Sequence, residues 1–321
     1  MNIGVAGNGM IAERFLEDIK KVEGASATAI CVREQSLEKG KALAGRFGID
    51  GVMTDYAAFL ESDSFDTVYL GIINSEHYRY ARQALEAGKH VICEKPFTVK
   101  AWEAKELAGI ARGKKLFLWE AFKIPYSPVF CSVEEQLKEL GEIKLVQCNY
   151  SRVSSRYKDY KEGKVLPAFD PELAGGCLYD INLYNLHFTT ALFGRPERIH
   201  YYANRGYNGI DTSGVLLLEY PGFQAVLTGA KDSSSPCGCV VQGEKGYLRV
   251  EGPASSASCA ELHVGNDCVE IARDEEHGLL TGELRAFVKQ YEEHDLESCY
   301  RMLDHSVMVM ELLEEASCAR E

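Results

Sequence analysis

The sequence predicts a two-domain α/β protein: a doubly wound parallel sheet over residues 1–120, then an α/β half over residues 121–321 with a mostly antiparallel sheet. Three observations predict it. Residues 1–120 alternate short apolar, β-rich runs with amphipathic stretches of helical length, the signature of repeated βαβ units with right-handed crossovers. After Trp119 the alternation gives way to closely spaced β-rich runs separated by turn residues. The chain, at 321 residues, is also longer than one hydrophobic core usually serves.

In the first half the β-rich runs are 3–6, 27–32, 67–73, 90–93 and 116–119, with helical patterns at 11–22, 37–47, 78–87 and 101–111. Gly88 follows Ala84-Leu85-Glu86-Ala87 as a helix-ending glycine. In the second half a helix is expected over 129–140, stopped at Gly141, then a strand over 143–153 and a polar, irregular segment over 154–168. A helix over 178–192 ends at Gly194 and Pro196. Strands follow at 199–203, 215–220, 224–228, 240–242 and 247–250, two of them joined at Pro221-Gly222, and helices at 280–291 and 302–316 close the chain.

The formal charge is −13, from 48 acidic against 35 basic side chains, which disfavours nucleic-acid and anionic-membrane partners. A small anionic ligand is compatible with it, because backbone N–H groups can hold such a group locally. No run approaches the roughly 18 apolar residues of a membrane helix. Met1–Gly7 lacks a basic leader, so a cytoplasmic protein is expected. The 11 cysteines are scattered and read as free thiols. Only Cys237-Gly238-Cys239 is close-spaced, without a second ligand pair, and no metal site is assigned.

Gly7-Asn8-Gly9-Met10-Ile11-Ala12 fits G-x-G-x-x-A between a strand and a helix. The first glycine permits the tight turn, the second admits a pyrophosphate, and Ala12 lets helix and strand pack closely. The helix N-terminus, with Met10 and Ile11, supplies N–H groups and a positive dipole end to the phosphates. Dinucleotide binding at Gly7, Gly9, Met10 and Ile11 follows. The second strand ends Cys31-Val32-Arg33-Glu34. Arg33 could pair with a 2′-phosphate and favour NADP, whereas Glu34 could accept from ribose hydroxyls and favour NAD.

His90-Val91-Ile92-Cys93-Glu94-Lys95-Pro96 places Glu-Lys-Pro at the carboxyl end of a parallel strand, the edge where open α/β sheets bind ligands. Pro96 biases Lys95 away from helical dihedrals. Together with the glycine turn, Asn74-Ser75-Glu76-His77, Glu120-Ala121-Phe122 and the run from Gly175-Gly176 through Asp180 to Tyr184, this resembles the glucose–fructose oxidoreductase, inositol dehydrogenase and rhizopine-catabolism (Gfo/Idh/MocA) family along nearly the whole chain. The resemblance implies a Rossmann domain and a second domain with a large open sheet for substrate binding. It also implies homo-oligomers (dimer or tetramer) and NAD(P)-linked hydride transfer on sugars, polyols or related carbonyls. It makes Lys95 the catalytic lysine, Asp180 and Tyr184 its second-domain partners, and Asn74, His77 and Glu94 part of the cofactor surroundings.

The residue chemistry agrees. Asp180 and Tyr184 are spaced i, i+4, so a helix projects both from one face. Hydride transfer to a carbonyl requires a proton at the new alkoxide, and a tyrosine near pKa ~10 needs a nearby cation to serve at neutral pH. Lys95 is expected to supply that cation and hydrogen-bond the reacting oxygen, with Tyr184 as acid/base and Asp180 orienting. His187, one turn beyond Tyr184, is the alternative proton carrier. Two departures leave the substrate open: the run 122–128 lacks the arginine common in relatives, and Asn182-Leu183 stands where Gly-Cys is usual. The basic, tyrosine-rich run 151–164 reads either as a border of the substrate mouth or as a solvated loop. A nucleotide-sensing regulator on the same fold is the competing reading, and a methyltransferase would not explain Glu94-Lys95-Pro96.

Overall fold

A computed structural model describes residues 1–275 and 280–318. Its compact units run Met1–Ala121 with Leu279–Met310, and Phe122–Gly278 with Glu311–Glu321. A single boundary near residue 120 therefore leaves out the return of the chain to the first unit.

The first unit opens with β1 (Asn2–Ala6), α1 (Met10–Ile19), β2 (Ser26–Cys31), α2 (Leu37–Phe47), β3 (Gly51–Met53) and α3 (Tyr56–Leu60). It continues with β4 (Thr67–Leu70), α4 (His77–Glu86), β5 (His90–Glu94), α5 (Ala101–Lys114) and β6 (Leu118–Ala121). The strands form one parallel sheet in the order β3-β2-β1-β4-β5-β6. β4 is buried at every position, as the apolar runs require of strands covered on both faces. β3 and α3, three and five residues long, fall below the length at which periodicity is readable. Phe15 of α1 stacks on Tyr69 of β4 with centroids 3.7 Å apart.

The second unit contains α6 (Pro128–Gln136), β7 (Ile143–Ser151), α7 (Tyr157–Lys161) and α8 (Leu183–Phe193). Seven more strands follow in its first segment, the first six being β8 (Arg198–Arg205), β9 (Asp211–Tyr220), β10 (Phe223–Ala230), β11 (Gly238–Gly243), β12 (Gly246–Glu251) and β13 (Cys259–Val264). β14 (Asp267–Arg273) completes an eight-stranded sheet ordered β14-β13-β12-β11-β7-β10-β9-β8. Every neighbouring pair is antiparallel except β7–β10. Strict alternation in β9, with Leu216 and Leu218 buried and Leu217 and Glu219 half-buried, marks one face packed and one open. The last two strands carry Glu261, His263, Asp267 and Glu270 and lack the apolar signal of the earlier ones.

The chain closes with α9 (Thr281–Glu292) and α10 (Leu296–Cys318). α9 seals the first unit: Phe287 stacks on Trp119, whose indole N–H donates to Gln290 Oε1 at 2.7 Å. Among the described residues no helix is long and apolar enough to cross a membrane.

Candidate active site

In the first unit the glycine turn lies at the carboxyl ends of β1 and β4, where the strand order reverses, the position at which doubly wound sheets bind ligands. Gly7 has φ +119°, and a Cβ there would sit 2.3 Å from the Gly71 carbonyl oxygen, so only glycine fits. Gly9 is the N-cap of α1 with no side-chain cap, and a Cβ there would meet nothing within 4 Å. The space before the first-turn N–H groups is therefore open, and Met10 beside it is exposed while Ile11 is half-buried. Asn8 Nδ2 donates to the Ser36 carbonyl at 3.5 Å, tying the turn to the segment after β2. Arg33 and Glu34 are both exposed at the end of β2. This cradle suits a dinucleotide pyrophosphate by open space and donor supply alike.

Two further loops at the same sheet edge are bound together. His77, fully buried at the start of α4, has Nδ1 2.8 Å from the Pro96 carbonyl, so that nitrogen carries the proton and donates. Burial lowers the His77 pKa, with the Lys95 ammonium acting in the same direction against the two carbonyls that favour its charge. The neutral ring thus anchors the Lys95–Pro96 segment, whose peptide bond is cis. Lys95 follows directly on β5 and is half-buried, and Asn74 is half-buried in the turn before α4. Glu94 and Glu120 are both buried: Tyr69 donates to Glu94 Oε1 at 2.7 Å, and the Phe97 N–H donates to Glu120 Oε1 at 2.9 Å. Glu94 thus serves to brace the strand ends, and Glu120, for which no role is read from the residues alone, fixes the backbone just after Lys95.

In the second unit Asp180 and Tyr184 lie where the sequence expects a helix, but its first turn, Leu178–Asn182, is a π-turn leading into α8. Such wide turns are frequent at functional sites. Both side chains are half-buried. Lys231, immediately after β10 and only 2% exposed, places its ammonium 2.8 Å from Asp180 Oδ2. The same ammonium donates to the Ala168 and Gly176 carbonyls at 2.5 and 3.4 Å and lies 4.6 Å from the Phe169 ring centroid. Asp180 is therefore held in a fixed direction.

The turn is clamped from beneath. Asn182 Nδ2 donates to the Leu227 carbonyl at 3.1 Å, and Asn185 Nδ2 to the Thr228 carbonyl at 3.0 Å, both on β10. Asn182-Leu183, a departure from the family pattern, is thus a buried anchor and a core residue. Asp211 caps the turn by accepting from the Leu178 N–H at 2.7 Å and from the Tyr201 hydroxyl at 2.6 Å. Burial nonetheless leaves the Asp211 pKa raised. Gly176, at φ +99°, is required here because its Cβ would lie 2.0 Å from Asp211 Oδ1.

The remaining candidates part company with the site. His187 is fully buried and stacks on Phe122 at 4.2 Å, the position of a core histidine. Cys239 is buried, and the Cys237 thiol donates to the Ser151 carbonyl at 3.6 Å. In the run 151–164 the basic side chains Arg152, Arg156 and Lys158 are exposed, while Tyr160 packs on Phe169 and Ile210. Lys231 and Asp211 escaped the sequence reading because a lysine after a strand and an aspartate before one look like solvated termini. Burial reveals them.

A parallel sheet of this order with a glycine turn at its switch point defines the NAD(P)-binding class of α/β proteins. Residues 1–122 match the model of the oxidoreductase family with NAD-binding Rossmann fold, and residues 136–249 match the GFO/IDH/MocA C-terminal domain. The chain is 31% identical over 317 residues to the scyllo-inositol 2-dehydrogenase (NADP(+)) IolU of Bacillus subtilis, covering 98% of this chain and 96% of that protein. It is 28% identical to the trans-1,2-dihydrobenzene-1,2-diol dehydrogenase of Xenopus tropicalis, over 77% of this chain and 74% of the relative. Among solved structures, the 3-ketoreductase KijD10 of Actinomadura kijaniata, bound to TDP-benzene and NADP, superposes with TM-score 0.82 at 23% identity, covering 99% of this chain and 97% of that one. That likeness shows the fold. The chain belongs to the Gfo/Idh/MocA family, and is an NAD(P)-binding oxidoreductase.

Proposed function

We propose that the chain is an NADP-dependent dehydrogenase/reductase acting on a secondary alcohol of a cyclitol, sugar or related polyol, or on the matching ketone, with Lys95, Asp180 and Tyr184 as its catalytic residues. The observation that carries the proposal is the placement of Lys95 at the ligand edge of the parallel sheet, on a segment anchored by His77 and Glu120. Support for the substrate class comes from the inositol and dihydrodiol dehydrogenases among the relatives. Arg33 at the end of β2 and the NADP in a relative's name support the cofactor choice over NAD.

Gly7, Gly9 and the α1 N-terminus, with Met10 and Ile11, hold the pyrophosphate, and Arg33 holds the 2′-phosphate. Asn74, His77 and Glu94 shape the strand-end loops around the cofactor. Bound nicotinamide would supply the hydride donor or acceptor. Lys95 hydrogen-bonds the reacting oxygen, so its cation favours the alkoxide over the neutral carbonyl. Tyr184 holds the proton that this oxygen gains on reduction and loses on oxidation. Asp180, locked by Lys231, orients a neighbouring substrate hydroxyl. The reading includes self-association as a dimer or tetramer through the open sheet face, to be checked by light scattering.

The test is turnover of purified protein with NADPH and NADH against inositols, inososes, hexoses and trans-dihydrodiols, followed at the absorbance of reduced nicotinamide. Lys95→Met and Tyr184→Phe are each expected to lower kcat by about 10²–10⁴-fold. NADPH binding, read by fluorescence, should persist in both. Tight NADPH binding with no turnover anywhere in the panel would sink the catalytic reading and favour a nucleotide-sensing regulator.

A further inference from the structure

The open face of the eight-stranded sheet carries a cluster of donors that the oxidoreductase chemistry does not use. β13 and β14 form a hairpin around Gly265-Asn266 at the edge of the sheet, with Gly265 at φ +61°. A glycine at the first central position suits a two-residue II′ turn, which fixes the register. That register sets His263 directly opposite Cys268. Period-two alternation puts Glu261 on the same face as His263.

The three donors converge. His263 Nε2 lies 3.5 Å from Cys268 Sγ and 3.1 Å from Glu261 Oε2, and one donor atom from each residue falls within 4.8 Å of the others. In a tetrahedral zinc site, with Zn–N and Zn–O of about 2.0–2.1 Å and Zn–S of about 2.3 Å, the N···S edge is about 3.6 Å and the N···O edge about 3.3 Å. Two edges of this triangle thus already have nearly the lengths that a single cation imposes. Tyr247, opposite His263 on β12, stacks on the imidazole at 4.3 Å and holds its plane. Among the described residues this is the only group of three or more such side chains so disposed.

We propose that Glu261, His263 and Cys268 form a three-ligand site for a borderline divalent cation, zinc(II) foremost, completed by solvent. Mixed nitrogen, sulfur and carboxylate donors select such an ion over magnesium or calcium, which take oxygen ligands. In the protomer the exposed Cys268, on the outermost strand β14, leaves the fourth position open to water. Binding releases the thiol proton to solvent, since the thiolate is the ligand. The Arg249 guanidinium, 3.4 Å from the same Glu261 oxygen and 3.3 Å from Glu251 Oε1, is the competitor the cation must displace. Occupancy would staple the edge hairpin.

The experiment uses the full chain, stripped with a chelator and titrated with cobalt(II), then zinc(II). One equivalent of cobalt should raise a thiolate-to-cobalt charge-transfer band, which zinc abolishes. Cys268→Ser should remove the band, and His263→Ala should weaken cobalt affinity by at least about tenfold. Arg249→Gln should tighten it. Zinc should also raise the wild-type Tm and leave that of Cys268→Ser unmoved. Circular dichroism of the variants should match wild type, because the substituted side chains lie at the sheet surface. A band that survives Cys268→Ser belongs to other thiols and overturns the proposal, as does absence of any band. Neither result depends on whether the protein transfers hydride.

Discussion

At the scale of single residues, the second unit turns on Lys231. Its ammonium satisfies two carbonyls and the Asp180 carboxylate inside the fold. Lys231→Met would remove the ammonium from beside the Asp180 carboxyl and the Gly176 carbonyl, while the Ala168 carbonyl keeps the Gly176 N–H at 3.1 Å, at a cost of about 2–3 kcal/mol, moderated by the one-third exposure of Asp180. Denaturant unfolding measures that loss. If Lys231 positions Asp180 for catalysis, Lys231→Arg should restore stability but raise KM more than it lowers kcat. Gly7→Ala is expected to weaken NADPH binding by more than about tenfold, because a methyl group there collides with the Gly71 carbonyl. Arg33→Ala should raise KM for NADPH and leave that for NADH nearly unchanged. The placement of Lys95 at a strand end and of Asp180 and Tyr184 on a helical segment is legible because each sits in a short local pattern. That of Lys231 is not, since only tertiary packing turns a strand-end lysine into a buried ligand of a carboxylate.

At the scale of elements, α1 carries an uncommon charge. Asp18 stands in the last turn, where a carboxylate opposes the helix dipole, and its side chain is fully buried. Burial pushes its pKa up, but hydrogen bonds from Lys21, the Leu280 N–H and Arg14 outweigh that and hold it below the ordinary range. A depressed carboxylate contributes stability above its unfolded pKa of about 3.9, and the contribution fades as pH falls through the lower folded value. The stability gap between wild type and Asp18→Asn should therefore be widest above about pH 5 and narrow as the pH falls below about 4, as read by denaturant midpoints. The alternating βαβ pattern was readable because buried parallel strands are continuous apolar runs. The π-turn was not: its widening depends on Asn182 and Asn185 reaching β10 carbonyls, contacts that no periodicity encodes. β13 and β14 were missed for a related reason, as charged residues replace the apolar alternation on their open face.

At the scale of the whole molecule, the order of the chain and the order of the units disagree. The parallel sheet ends at Ala121, yet its unit is completed by residues beyond 279, after the second unit's sheet has been traversed. Phe287 and Gln290 engage Trp119, the Cys299 thiol donates to the Leu118 carbonyl, and Tyr300 donates to the Ala111 and Leu116 carbonyls. A ribosome that has released only the glycine turn and its six strands has therefore made a nucleotide-binding half with one flank bare. Expressed alone, residues 1–121 should show an exposed Trp119 by red-shifted fluorescence and collect in inclusion bodies. Adding residues 280–310 as a separate peptide should restore solubility. Competence to hold a dinucleotide would then arrive late in synthesis, with the closing helices.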